Sequence, residues 1–435
     1  MSVRRSRRNR PLGCLLGLWL AAPAGMLAAQ EFQTLKGHGG PIMGIAVSPD
    51  GVVATASFDN SVGRWNGGPP QWLEGHDAAV TAIAYGPEGL LVSGGDDFAV
   101  RTWGETPQIL GKHEGKVACV AVAPSGDRIA SGSWDGSIRL WPLDGGAEES
   151  LPDPGAGVND VAFSADGRFL FAATNGGDLL RYDLANGGTP MPLARHGFGI
   201  NRLVLGEGWV AYGAVDGQTR VIDAETGDEI ADFTLERRPI LAMARHAETN
   251  QIAVGDGQGY IMMLDTADWR IARDFRATRE GPVWALAFSP DGTVIHAGGL
   301  DDVVYAWPVS ALGEFDPAMG QERSFLRDAE TMPNGERQFM RKCSICHDVS
   351  PGPSRKAGPT LHGLFGRRAG TVPGYLYSPT LDGSDIVWTA ETVNALFDEG
   401  PDHYIPGSKM PMQVIAAASD RDDLIRYLET ATTGE

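Results

Sequence analysis

The sequence predicts a multidomain chain in which a long all-β repeat domain is followed by a short all-α domain. Three observations carry this. The chain has 435 residues, too many for one ordinary core. It holds 58 glycines, which points to many tight turns and a β-rich majority. After Pro333 the apolar spacing changes from strand alternation to a helical period. Hydrophobic content of 42% with 21% charged residues fits a soluble globular protein rather than a disordered or membrane-embedded one.

Residues 1–29 read as an export signal. Arg4, Arg5, Arg7, Arg8 and Arg10 form a basic start, Leu12 to Ala22 is an apolar run that Pro23 breaks, and Ala28-Ala29 offers a cleavage point. An uncleaved anchor is the competing reading, and Pro23 with the nearby glycines makes a poor membrane span. The chain is therefore expected to be periplasmic, with no membrane insertion once the signal is removed. Losing these five arginines takes the formal charge from −19 to about −24, which argues against nucleic acid or anionic lipid as a partner. Cys14 leaves with the signal, and Cys119 lies in an apolar strand as a small buried hydrophobe. Cys343 and Cys346 belong to one motif, so no disulfide framework remains and stability must come from packing.

From about residue 30 to 310 the sequence repeats. His38…Asp59…Trp65, His76…Asp97…Trp103 and His113…Asp135…Trp141 are the clearest copies, each with Thr55, Ser93 or Ser131 four residues before the Asp. Later copies end at Tyr182, Ile222, Leu264 and Trp307, giving steps of 38, 38, 41, 40, 42 and 43 residues. Such a period means one supersecondary unit stacked many times. Within a copy, Ile42 to Val47 alternates as a strand, Ser48-Pro49-Asp50-Gly51 turns, and Val52 to Ser57 returns. These features resemble WD-repeat β-propellers. The resemblance implies about seven four-stranded blades around a channel, with the repeated His, Ser/Thr, Asp and Trp hydrogen-bonded inside each blade. Phe32 to Leu35 should then supply the outer strand of the last blade and close the ring. The family's Trp-Asp ending is missing, because Asn66, Gly104 and Pro142 follow Trp65, Trp103 and Trp141, and the fourth and sixth copies keep neither Asp nor Trp. One His and one Asp per copy are spread around a ring, so they read as satisfied polar groups rather than a catalytic set.

Residues 311–332 lose the alternation and read as a linker. Residues 333–435 then form the second domain. Cys343-Ser344-Ile345-Cys346-His347 has the spacing of a c-type haem attachment motif: two thiols on one helical turn reach the haem vinyl groups, and the next His faces the iron. Half a zinc site or a dithiol redox pair shares the Cys spacing. No second Cys pair completes the first, and no βαβ context surrounds the second. The flanks are Gly358-Pro359-Thr360-Leu361-His362, Pro373-Gly374-Tyr375, Trp388, Tyr404 to Met410, and a closing helix from Asp420 to Ala431. This ordered set resembles class I cytochrome c of the mitochondrial and α-proteobacterial type. The predicted fold is thus an all-β seven-bladed propeller followed by an all-α class I cytochrome c domain.

The resemblance implies one covalently bound haem c on Cys343 and Cys346, with His347 and Met410 as axial ligands. It implies that the Pro359 carbonyl accepts from the His347 ring, and that Arg367, Tyr377 and Trp388 serve the propionates. The family's Asn past Tyr377 is replaced around Thr380-Leu381, and its crevice Tyr falls at Leu396 or Phe397. Met412 is the nearby rival to Met410, and His362 and His403 are the competing imidazoles. Iron held by His and Met has no open position, which suits outer-sphere electron transfer over bond-making.

Residues 333–435 hold ten Lys/Arg and thirteen Asp/Glu, unlike basic mitochondrial relatives. Lys342 and Lys409 still flank the expected haem edge, so transient docking of a redox protein partner through an acidic patch is expected there. Three readings follow: an exported electron carrier with the propeller as docking platform, a propeller-borne oxidoreductase using haem c as electron exit, and a redox sensor. The carrier is favoured, because the propeller shows no second haem ligand or nucleophile motif.

Overall fold

The computed structural model describes residues 32–234, 239–278, 281–312, 332–344, 346–352, 356–375, 377–378, 380–406, 408, 410 and 413–433. The expected signal at 1–29 and most of the expected linker at 311–332 lie outside the described residues, as do Lys409 and Met412. No helix among the described residues is long and apolar enough to cross a membrane.

Residues 32–312 form seven antiparallel four-stranded sheets. The first runs Ile42–Val47, Val53–Ser57, Ser61–Trp65 and Gln71–Glu74, each strand beside the next. Six sheets are built this way. The seventh takes Val283–Phe288, Val294–Gly299 and Val303–Pro308 and adds Gln33–Lys36 from the start of the chain. Gln33 lies opposite Ala306 and Lys36 opposite Val303, so the ring closes with a strand starting one residue later than the alternation suggested. Phe32 instead packs its ring 4.6 Å from that of Trp307.

The first strand of every blade faces a central cavity of about 230 Å³. Its walls include Met43, Thr81, Cys119, Asp160, Arg202, Met243 and Trp284, one from each blade. All seven inner strands carry a register shift near their start, from Ile42/Gly44 in blade 1 to Val283/Ala285 in blade 7. A bulge at this point sharpens the local twist that a radial sheet needs. The predicted turn forms as expected: Gly51 takes φ 83°, which a side chain would disfavour, and the Val52 N–H donates to Ser48 Oγ at 3.0 Å.

Blades adhere through apolar layers. Ala54, Ala56 and Val62 of blade 1 pack with Val80, Leu91 and Trp103 of blade 2. The copy-ending residues Tyr182, Ile222, Leu264 and Trp307 are all buried, so the first three occupy the tryptophan position as substitutes and the last copy keeps the tryptophan. In blade 1 His38 Nδ1 donates to Asp59 (2.9 Å), and His38 Nε2 accepts from Thr55 Oγ1 (2.6 Å). Thr55 Oγ1 in turn accepts from Trp65 Nε1 (2.9 Å). Burial pushes the Asp59 carboxyl up, but the hydrogen bond and charge of His38, with Ser61 and the Gly39 N–H, hold it below the ordinary value. Blade 2 repeats the arrangement. Blade 3 departs from it: His113 Nδ1 lies 2.7 Å from Ser137 Oγ, with Asp135 3.6 Å away.

Among the described residues from 332 to 433, four helices are joined by long irregular segments. α1 (Asn334–Lys342) and α4 (Ala418–Ala431) cross at Gly335, where an added Cβ would lie 2.1 Å from the Asp423 carbonyl oxygen. α2 (Ala390–Glu399) starts at a reciprocal cap between Thr389 and Thr392. The short α3 (Pro401–Tyr404) follows. Phe339, Leu396, Phe397, Ile415, Leu424 and Leu428 form the core. Arg421 is buried beside it, and its Nη1 donates to the Ile415 and Ala416 carbonyls.

Candidate cofactor site

The C-terminal turn of α1 delivers the two thiols. Backbone N–H groups of Cys346 and His347 donate to the Cys343 carbonyl at 3.0 and 2.8 Å, which keeps the motif wound after the helix proper ends. His347 Nδ1 donates to the Pro359 carbonyl at 2.8 Å, leaving Nε2 as the ring nitrogen free to ligate. Gly358 makes this approach possible, because a Cβ there would lie 2.4 Å from His347 Cε1. Met410 reaches the site from the other end of the domain, its N–H donating to Ser408 Oγ at 2.9 Å.

Cys343, Cys346, His347, Pro359, Arg367, Tyr377, Trp388 and Met410 all line one cavity of about 330 Å³. Its walls are otherwise mostly apolar, with Leu361, Leu364, Val393, Leu396, Phe397 and Ile405 among them. Leu396 and Phe397, flagged in the sequence as departures, are core side chains of this wall. Arg367 donates to the His362 carbonyl (2.6 Å) and the Thr360 carbonyl (2.8 Å), so it braces the loop after Pro359 as well as facing the cavity. Tyr377 OH accepts from the Val372 N–H at 3.2 Å. His362 and His403 are not among the lining residues.

Sequence reasoning assigned no site role to three other members, although it had noted Tyr375. Tyr375 OH donates to the Ala357 carbonyl at 2.6 Å, and its ring meets that of Tyr377 at 4.7 Å. Ser378 Oγ and Gln413 Oε1 are buried in the cavity wall with no hydrogen-bond partner among the described residues. The Pro-Gly-Tyr run could have identified Tyr375; nothing local marks the other two. Phe58, Asn60, Asp77, Ala78, Ala79 and Asp96 of the propeller also line the cavity.

Burial pushes the Cys343 thiol up to about 12 and the Cys346 thiol up to about 11, the opposite of the depressed thiol a dithiol exchanger needs. Burial likewise lowers the His347 pKa against the Pro359 hydrogen bond, so the ring is neutral and a competent ligand. No group of three or more His, Cys, Asp or Glu among the described residues could hold a metal by itself. A large flat apolar group with a few polar substituents fits these walls, and the orphaned Ser378 hydroxyl supplies a polar partner.

Comparison with known proteins agrees. The WD domain, G-beta repeat, matches residues 29–66, 67–104, 104–142, 148–180 and 270–308. The Cytochrome c family matches residues 333–432. Cytochrome c of Sesamum indicum is 44% identical over 101 residues, which is 23% of this chain and 88% of that protein. Cytochrome c of Ginkgo biloba is 43% identical over 101 residues, with the same coverage. Cytochrome c type-1 of Ascaris suum is 43% identical over 98 residues, covering 22% of this chain and 84% of that protein. Behind a WD-repeat β-propeller, the chain belongs to the cytochrome c family, with the covalently bound haem c and the electron transfer that this family implies.

Proposed function

We propose that the chain is an exported, periplasmic electron carrier that passes single electrons between transiently bound redox proteins, with the propeller as its docking platform. The convergence of both cysteines, His347 and Met410 on one apolar cavity supports this reading. In it, Cys343 and Cys346 would hold the porphyrin as thioethers, and His347 Nε2 and Met410 Sδ would ligate the iron. Haem c supplies a reversible one-electron couple when bound. The protein's residues do the rest. Pro359 fixes the His347 ring through Nδ1–H, and the leucine and phenylalanine walls exclude water. Arg367, Tyr377 and Trp388, which line the cavity, would be the donors to the propionates in this reading. With His347 and Met410 both serving as ligands, the iron would have no open position for a substrate, so the reading is a carrier rather than an oxidoreductase.

The test is export of the chain in a host that attaches haem c. One covalent haem per chain is expected, with no carbon monoxide binding to the ferrous protein. Met410→Ala should open the iron, so that carbon monoxide binds. Absence of covalent haem, or a Met410→Ala protein with an unaltered reduced spectrum, overturns the assignment.

A further inference from the structure

The cavity at the two cysteines has a second wall made by the propeller. Phe58 and Asn60 come from the turn between two strands of blade 1. Asp77, Ala78 and Ala79 precede the first strand of blade 2, and Asp96 follows its second. A smaller cleft beside it is lined by Gly39, Gly40, Pro41, Leu300 and Asp302 of blades 1 and 7, together with Ser344 and Lys356. The two clefts flank the attachment motif, and both open onto the propeller face that carries the His38 and His76 hydrogen-bond sets.

Covalent necessity places the thioether edge of a c-type haem at Cys343 and Cys346. That is the edge through which an outer-sphere electron would leave most directly. Charge is complementary across the contact: Lys342 shares one cleft with Asp77 and Asp96, and Lys356 shares the other with Asp302. The sequence had pointed to an acidic partner for Lys342. In the structure those acidic groups belong to the same chain.

We infer that the face formed by blades 7, 1 and 2 is the docking site for the chain's own haem edge, so that the propeller shields this edge from solvent and from external partners. The inference rests on the haem reading above for what is shielded. The contact itself does not depend on it. External proteins must then compete with the propeller for the edge, or take the electron by another surface.

The experiment uses the full-length holoprotein, with Ala78→Arg as one variant and Asp77→Lys as another; neither residue is among the proposed ligands. Two quantities are read: the radius of gyration by small-angle X-ray scattering, and the rate of oxidation of the ferrous protein by hexacyanoferrate(III) and by a cationic cobalt(III) complex. Both variants should increase the radius and raise both oxidation rates by about tenfold or more, within the range over which charge and access shift encounter rates. The unaltered protein should move the same way when ionic strength rises from about 0.01 to about 1 M, which shortens the Debye length from about 30 to about 3 Å. That measurement needs no substitution to fold. An unchanged radius, or oxidation as fast in the unaltered protein as in the variants, overturns the docking. Should haem be bound with a normal spectrum and neither quantity respond, only the docking fails. Should no haem attach, the carrier reading fails, and the scattering comparison still decides the docking.

Discussion

Ser93→Ala is the sharpest test of how the blades are held. The Ser93 hydroxyl is fully buried and bonds to both His76 Nε2 and Trp103 Nε1 at 2.7 Å. Removing it deletes no carbon atom, so the loss is almost purely polar. Two buried groups are left without a partner, each costing about 1–3 kcal/mol, so about 2–5 kcal/mol in all after local relaxation. That is a large share of the roughly 5–15 kcal/mol that holds an ordinary domain. Thr55→Ser in blade 1 is the comparator. It keeps the hydroxyl that bonds His38 and Trp65 and loses one methyl, about 1 kcal/mol. Urea unfolding followed by far-ultraviolet circular dichroism reads the propeller, and haem absorbance reads the other domain, since one transition cannot be assumed for both. A Ser93→Ala loss no larger than that of Thr55→Ser would show that these bonds do not hold the blade.

Three further outcomes are expected. Gly358→Ala puts a Cβ 2.4 Å from the His347 ring, so it should strip most covalent haem from the exported protein; full haem content by the pyridine haemochrome assay contradicts this. Burial holds His113 and His296 near 4 against an ordinary 6.5, so between those values the unfolded chain binds more protons and stability falls as pH falls. Each contributes up to about 1.4 kcal/mol per pH unit in that window, and equal urea midpoints for the propeller at pH 7 and pH 4.5 would refute it. Deleting residues 32–36 should expose the Val303–Pro308 strand as a free edge and cause self-association; a monomer of unchanged stability by analytical ultracentrifugation rules that out.

Much of this was legible in the sequence because the signals are local. A constant Asp-to-Trp spacing places each blade's third strand, and a motif within one turn of helix places two thiols and an imidazole on one side. Legibility ended where residue type and role came apart. Blade 5 keeps a half-buried His196–Asp216 pair at 3.1 Å, with Tyr212 OH 3.5 Å from the other ring nitrogen. Its terminal residue is Ile222, so the tryptophan-centred pattern passed over it. Blade 7 went further: Trp307 Nε1 donates to the Ala277 carbonyl rather than to a hydroxyl, and Asp301 accepts from Tyr305 OH. The propeller wall of the cavity left no trace at all. Phe58 and Cys343 are far apart in sequence, and nothing periodic links them.

The charge pattern of the chain is compatible with the same contact. Near-neutral charge on a cytochrome domain is a handicap if the haem edge must attract acidic partners from bulk solution, since steering grows with complementary charge. It is no handicap if the edge first meets Asp77 and Asp96 on its own chain, because linked modules face one another at an effective concentration of about millimolar. Few cations are then needed, and Lys342 and Lys356 lie where those few would act. An external partner that binds the edge only at millimolar affinity gains little against such a competitor. A productive partner must either bind much more tightly or first engage the propeller, whose exposed Trp134 and Phe198 offer apolar anchors. Selectivity for partners would thus reside in the β-domain, while the α-domain supplies the redox group.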